Sequence, residues 1–72
     1  MSSFFSHLLA INCGPLSAPK GGSVVVTSTS FQGIATYACN QGFTMAGVSQ
    51  RQCQANEQWS GSAPVCQSKY LK

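Results

Sequence analysis

The stretch QWSGSAPVC, residues 58–66, contains the only tryptophan of the chain, Trp59, followed by a turn-like Ser-Gly-Ser-Ala-Pro run and Cys66. Small polar residues beside an aromatic ring and a thiol fit two interpretations. In the first, they outline an active site. In the second, the tryptophan fills the core beside a disulfide, in a domain too small to be stable otherwise.

The length of the chain favours the second interpretation. Its 72 residues allow one domain at most. A chain of about this size buries only ~60% of the surface that its unfolded form exposes, so its core is marginal. Small domains therefore need disulfides, a metal or a partner chain. Four cysteines in so short a chain point to disulfides.

Charged residues are scarce, and their distribution excludes a class of partners. The sequence has four basic side chains and one acidic side chain, Glu57, which gives a net charge of +3. No two basic residues are adjacent, and binding to nucleic acid or to a heparin-like sugar normally needs a concentrated basic patch. We therefore expect no nucleic-acid partner. The basic residues are Lys20, Arg51, Lys69 and Lys72.

The first twelve residues, MSSFFSHLLAIN, differ in composition from the rest. Their apolar stretch is too short to span a membrane, so we expect no membrane insertion. It has the length of a signal-peptide core, but it lacks a basic start, and Leu8 stands where cleavage after Ala10 needs a small residue. Residues 1–12 are thus either a degenerate signal or a linker. His7 has no carboxylate or cysteine near it in sequence, so we do not expect it to be a ligand or a base.

From Cys13 onward the sequence predicts short strands separated by Gly, Pro, Ser and Asn. Residues 23–30 are rich in β-branched side chains, and residues 31–39 alternate with a period of two, as do Phe43 and Met45. A further strand is expected over residues 48–53. Gly42 ends a turn signal because glycine adopts positive φ readily. No segment has helical periodicity, so the chain is predicted to be all-β.

The cysteines follow the spacing C-x25-C-x13-C-x12-C. Structural zinc sites usually take ligands in close pairs such as C-x2-C, and no such pair exists here. A nucleophilic cysteine needs a nearby base, which the sequence does not provide. We therefore predict no catalytic, metal or cofactor site and two structural disulfides, which implies an oxidising compartment. Spacing alone leaves all three pairings open.

Five segments together resemble one known family, the complement control protein module, also called the sushi domain or short consensus repeat. They occur in the family's order and spacing across residues 13–66, which we predict to be the module, with residues 67–72 as a C-terminal linker tail. The segments are CGPLSAPKGG (13–22), FQGIATYAC (31–39), CNQGFTMAG (39–47), RQC (51–53) and WSGSAPVC (59–66).

The resemblance implies a small elongated β module of short antiparallel strands with a disulfide towards each end. It implies the pairs Cys13–Cys53 and Cys39–Cys66, with the tryptophan packed in the core. An exposed, ligand-binding tryptophan is the alternative. The structural core expected from the family consists of Trp59, Tyr37, Phe43, Met45 and Phe31.

One position departs from the family pattern. The family usually carries glycine two residues before the tryptophan, where this chain has Glu57. Positive φ strains a residue such as glutamate, whereas asparagine tolerates it better. We therefore predict that Asn56 adopts the left-handed conformation in this turn.

The family implies a non-catalytic, extracellular protein-interaction module, normally one unit of a larger complement-, adhesion- or matrix-type protein with neighbouring modules. The alternative is a structural spacer with no ligand of its own. An enzyme is not expected because the single acidic residue, Glu57, cannot form a carboxylate pair. Binding residues differ between family members, so none is transferred. The loops at residues 26–30 and 56–58 are the first surfaces to test.

Overall fold

The computed structural model describes residues 10–69, which form five short strands and no helix. This confirms the predicted all-β class. The strands are β1 (Gly22–Val26), β2 (Ile34–Cys39), β3 (Phe43–Ala46), β4 (Gln50–Gln52) and β5 (Val65–Ser68).

The strands form two antiparallel sheets in an elongated module. The first sheet has the order β1-β2-β4, with Gly22 opposite Cys39 and Ile34 opposite Gln52. The second sheet pairs β3 with β5. The backbone of the described residues extends 54 × 16 × 12 Å along its principal axes, so most side chains lie near a surface and the core is narrow.

The alternation predicted for residues 31–39 is confirmed within β2. Ala35 and Tyr37 are buried, whereas Thr36 and Ala38 between and beyond them are exposed. Successive side chains of a strand point to opposite faces, so one face of β2 supplies the centre of the core.

The first sheet is shorter than predicted because a tight turn interrupts it. Gln32 adopts a φ of 70°, and the amide of Gly33 donates to the carbonyl of Ser30 at 2.8 Å. A Cβ atom at Gly33 would overlap the carbonyl oxygen of Ser28, so only glycine fits there. Consequently β1 ends at Val26 and β2 begins at Ile34, and the intervening residues form a loop.

The core contains a residue that the sequence prediction assigned to the N-terminal segment. Ile11 is 1% exposed. Asn12 forms an antiparallel bridge with Ser30, and the amide of Cys13 donates to the carbonyl of Thr29. This backbone pairing directs Ile11 inward, so the compact unit begins before Cys13. Residues 1–9, which include His7, lie outside the described residues.

Two residues of the predicted C-terminal tail belong to a strand. Gln67 and Ser68, expected to be part of a linker tail, belong to β5 and pair with β3. The amide of Lys69 donates to the carbonyl of Gly42 at 2.8 Å, which extends the pairing by one residue. Residues 70–72 of the predicted tail lie outside the described part of the chain.

The buried position of Ile11 leads to a stability prediction. We expect Ile11→Val to lower the free energy of unfolding by about 0.5–1.5 kcal/mol, because it removes one methylene from a closed site. Urea unfolding followed by tryptophan fluorescence measures the change. The control is Val48→Ala, at a position 47% exposed and outside the strands, with an expected change within about 0.5 kcal/mol. An Ile11→Val variant as stable as the control would contradict the core placement.

Candidate functional site

Trp59 lies in the core rather than on a binding surface. Its side chain is 8% exposed and belongs to one cluster with four other buried residues. The indole nitrogen donates to the carbonyl oxygen of Gly14 at 3.1 Å. The alternative of an exposed, ligand-binding tryptophan therefore does not describe this structure. The other buried members are Ile11, Ala35, Tyr37 and Cys53.

The four cysteines form two disulfides, and no cysteine of the described residues is free. Cys13 is bonded to Cys53 with an S–S distance of 2.01 Å, and Cys39 is bonded to Cys66 at 2.00 Å. This is the pairing that the family resemblance implies. The first disulfide lies in the Trp59 cluster. The second joins β2 to β5 and so ties the two sheets together.

The remaining residues expected in the core divide into two groups. Tyr37 is buried, and Phe31 and Met45 are partly buried and pack against the Trp59 cluster. The prediction that Phe43 belongs to this core is not met, because Phe43 is not among the described side chains that pack against the Trp59 cluster. Its ring lies beside Gly21, where a Cβ atom would be 2.6 Å from the ring.

The register of β3 explains the position of Phe43. Phe43 pairs with Ser68 at the outer end of the second sheet, whereas Met45 pairs with Cys66, two residues closer to the Trp59 cluster. Both side chains are on one face of β3, but of the two only Met45 packs against the Trp59 cluster. The period of two identifies the shared face and not the distance along it.

Arg51 has a structural role that the sequence analysis did not assign. Its Nε donates to the carbonyl of Ser60 at 2.8 Å, and a guanidinium nitrogen donates to the hydroxyl of Tyr37 at 3.3 Å. A second guanidinium nitrogen lies 3.5 Å from the carbonyl of Gly61. The planar guanidinium thus holds the segment after Trp59 against β4. The basic residue two positions before Cys53 was the only sequence signal for it.

The turn before Trp59 corrects the prediction made for Asn56. Glu57 itself adopts a φ of 66°, and Asn56 is not among the residues with positive φ. The amide of Glu57 donates to the carbonyl of Gln54, which closes the turn. The side-chain oxygen of Asn56 instead accepts from the amide of Gln58 at 3.1 Å. Asn56 therefore stabilises the turn through its side chain, and Glu57 carries the strained backbone.

We expect Glu57→Gly to raise the free energy of unfolding by up to about 1 kcal/mol. Glycine removes the ~1–2 kcal/mol that the left-handed backbone conformation costs a residue with a Cβ atom. It offsets part of this gain because it raises the conformational entropy of the unfolded chain. Glu57→Ala is the matched control, since it removes the charge and keeps the strain. Thermal unfolding should place the glycine variant ~4–8 °C above the alanine variant for each kcal/mol gained. A glycine variant no more stable than the alanine variant would contradict the strain assignment.

The described residues offer little reactive chemistry. Residues 10–69 contain no group of three His, Cys, Asp or Glu side chains able to hold a metal ion. In the same part of the chain, no helix has the length and apolar character needed to cross a bilayer. Their charged side chains are Lys20, Arg51, Glu57 and Lys69.

One concave feature stands out on the surface. A cleft of about 390 Å³ lies beside β5, at the end of the module that contains the Cys39–Cys66 disulfide. We call it the Lys20 cleft. It is lined by Lys20, Phe43, Cys66, Gln67 and Ser68.

Comparison with known proteins identifies one family. The model of the sushi repeat (SCR repeat) matches residues 13–66. The chain is 44% identical over 55 residues to the protein lev-9 of Caenorhabditis elegans, covering 75% of this chain and 9% of that protein. It is 35% identical over 68 residues to E-selectin of Canis lupus familiaris, covering 88% of this chain and 11% of that protein.

A third relative extends the comparison to a protein of mixed domains. The chain is 40% identical over 58 residues to the mouse sushi, von Willebrand factor type A, EGF and pentraxin domain-containing protein 1, covering 81% of this chain and 2% of that protein. The chain thus corresponds to about a tenth or less of the length of these three relatives.

Proposed function

The chain belongs to the sushi repeat (SCR repeat) family, and from this membership we propose that it is a protein-interaction module of a larger modular protein of the complement, adhesion or matrix type. The observation that carries the proposal is the size relation with its relatives. The family model matches residues 13–66, most of this chain, whereas the matching region is a small fraction of each relative. Neighbouring modules and an extracellular protein partner are part of the proposal.

The module is extracellular, either secreted or part of an ectodomain. Relatives such as E-selectin and the sushi repeat-containing protein SRPX2 are extracellular or ectodomain proteins that carry sushi repeats. The two disulfides agree with this location, because such bonds form and persist in oxidising compartments.

We infer that the module is not catalytic. The sushi repeat is a non-enzymatic module type. Nucleophilic catalysis by cysteine needs a thiolate, and all four cysteines are in disulfides. Paired-carboxylate catalysis needs two acidic groups, and Glu57 is the only acidic side chain of the sequence. These observations support binding as the activity of the chain.

Two exposed loops are the first surfaces that we propose for partner binding. The loop after β1 presents Ser28 and Ser30 to solvent, and the turn before Trp59 presents Asn56 and Gln58. Each loop is ordered by side chain to backbone hydrogen bonds, Ser28 Oγ accepting from the amide of Ser30 and Asn56 Oδ1 from that of Gln58. Ordered loops lose less conformational entropy on binding.

The experiment is a binding screen with an oligomeric reporter. The disulfide-bonded chain is fused to a tetrameric reporter, since multivalency raises weak affinities, and is tested against a broad panel of extracellular proteins and cell surfaces. The control is the same fusion after reduction and alkylation. We expect saturable binding of the oxidised form alone. Absence of saturable binding across the panel, or equal binding of both forms, would contradict the interaction function.

The second candidate is a structural spacer without a ligand of its own. The observation that favours it is the elongated shape of the described residues, whose backbone extends 54 Å along one axis and 16 and 12 Å along the others, because such a shape suits a spacer between neighbouring domains. The same screen separates the candidates. A spacer unfolds cooperatively but shows no saturable binding. A binding module unfolds cooperatively and also shows saturable binding.

A further inference from the structure

The Lys20 cleft combines an apolar wall with the positive charge of an exposed lysine. Its apolar side is formed by the half-buried ring of Phe43 and by Cys66, and Gln67 and Ser68 supply polar atoms from β5. Lys20 is exposed, and no ion pair or hydrogen bond of its side chain occurs within residues 10–69. The volume of about 390 Å³ is within the range of ~300–1,000 Å³ typical of ligand sites.

The positive charge at this end of the module has no acidic side chain near it in the described residues 10–69. Glu57 is the only acidic side chain of the sequence. It lies in the turn after Cys53, whose amide donates to the carbonyl of Gly33. That point precedes β2, whereas the Lys20 cleft lies beyond the other end of β2, where Cys39 pairs with Gly22. Within residues 10–69, no acidic side chain therefore lies at the end of the module that contains Lys20.

A second basic residue lies at the same end. Lys69 follows the cleft residue Ser68 directly, and its amide donates to the carbonyl of Gly42, which precedes Phe43. Two ammonium groups at one end of an elongated module, without an acidic group near them in the described residues, attract a negatively charged partner.

We propose that the Lys20 cleft is a docking site for an acidic segment of an extracellular partner protein that carries an aromatic or aliphatic side chain. The apolar side chain packs on Phe43 and the disulfide sulfur of Cys66, and a neighbouring carboxylate pairs with Lys20. The inference rests on the proposed interaction function and names the surface and the chemistry of the partner. An ion pair beside an apolar contact is partly shielded from solvent, so both components contribute to binding.

The test uses peptides of defined charge as probes. The isotope-labelled oxidised chain is titrated with acetyl-Glu-Phe-Asp-Phe-Glu-amide and, separately, with acetyl-Lys-Phe-Lys-Phe-Lys-amide, which has the same aromatic content and the opposite charge. We expect the acidic peptide alone to shift the amide resonances of Phe43, Gln67 and Ser68 in a saturable manner. The shifts should weaken with added salt because the contact includes an ion pair.

Two variants of equal net charge separate a local contact from general attraction. Lys20→Gln removes the charge at the cleft, and Gln54→Glu lowers the net charge by the same amount in the exposed turn after Cys53. Lys20→Gln should weaken binding of the acidic peptide about fivefold, the upper range for a single ion pair near a surface. Gln54→Glu should leave the dissociation constant within about twofold. Equal effects of the two variants, no shifts at millimolar acidic peptide, or equal shifts with the basic peptide would each overturn the proposal.

A third variant, which ends at Lys69, tests whether the chain's own last residues occupy the cleft. Under the proposal, this shortened chain binds the acidic peptide as the full chain does. Binding that appears only after the shortening would show that residues 70–72 fill the cleft and would overturn the proposal. The binding screen keeps the two hypotheses apart. A partner bound equally by wild type and Lys20→Gln, without a peptide response, would refute the cleft site and leave the interaction function intact.

Discussion

Trp59→Ala should lower the free energy of unfolding by about 3–5 kcal/mol and leave the module largely unfolded, while both disulfides stay intact. The reason is the size of the core, which has five buried residues among those described. An indole buries ~150–250 Å², and the total stability of a small domain is about 5 kcal/mol at the low end of the range. Loss of one side chain is thus comparable to the whole stability.

Trp59→Phe separates the packing of the ring from its hydrogen bond. Phenylalanine keeps part of the apolar volume but cannot donate to the carbonyl of Gly14, which the indole nitrogen contacts at 3.1 Å. We expect a loss of about 1–3 kcal/mol, because the partly buried carbonyl of Gly14 loses its donor and the smaller ring leaves unfilled volume. Both variants are measured by thermal unfolding followed by far-ultraviolet circular dichroism.

The control for the two tryptophan variants is Val65→Ala at a position 55% exposed. It removes apolar side-chain atoms from the surface rather than from the core, so its unfolding temperature should be close to that of the wild type. Peptide mapping under non-reducing conditions verifies that each variant keeps its disulfides. An unfolding temperature unchanged by Trp59→Ala would contradict the assignment of Trp59 to the core.

The features that the sequence predicted correctly depend on local rules. The period of two in residues 35–38 places Ala35 and Tyr37 on the buried face, because strand geometry imposes it wherever a strand forms. Gly42 has a φ of 92° in the predicted turn, a conformation that glycine adopts without a steric penalty. The family motifs added the cysteine pairing, which spacing alone had left open.

The features that the sequence did not predict depend on contacts between distant residues. Ile11 is buried because its neighbours pair with the loop after β1, and nothing in the N-terminal composition indicates that pairing. Phe43 shares a face with Met45, but its distance from Trp59 follows from the pairing of β3 with β5. Glu57 adopts positive φ because the turn closes between Gln54 and Glu57. Residue preference alone pointed to Asn56.

The Lys20 cleft also depends on contacts between residues that are distant in sequence. Lys20 precedes β1, Phe43 begins β3 and Gln67 lies in β5, so no local sequence window contains the site. The sequence itself shows that the chain has one acidic side chain, Glu57. The sheet topology places this acidic side chain and Lys20 towards opposite ends of β2, which the sequence alone does not indicate. A net charge of +3 does not by itself indicate a binding site, whereas a lysine without an ion pair in residues 10–69, beside the apolar ring of Phe43, indicates a specific one.

Removing the Cys13–Cys53 disulfide by a double alanine substitution should lower the free energy of unfolding by about 4–5 kcal/mol and abolish folding at 37 °C. The disulfide closes a loop with a sequence separation of 40, which the chain-entropy model values at about 4 kcal/mol. Cys53 is in addition 1% exposed and packs in the Trp59 cluster, so its loss leaves a cavity there.

The matched variant removes Cys39 and Cys66 in the same way. Its loop, with a separation of 27, is worth about 3.5 kcal/mol in the same model, so loop closure alone predicts nearly equal losses for the two variants. The structure predicts a difference of about 1 kcal/mol or more, because only the first disulfide has a sulfur in the Trp59 cluster. Urea unfolding at low temperature gives the free energies, and the emission maximum of Trp59 reports whether the cluster persists. We expect a buried emission in the Cys39/Cys66 variant and an exposed one in the Cys13/Cys53 variant. Equal losses with the same emission, or the reverse order, would mean that the core does not depend on the disulfide beside Trp59.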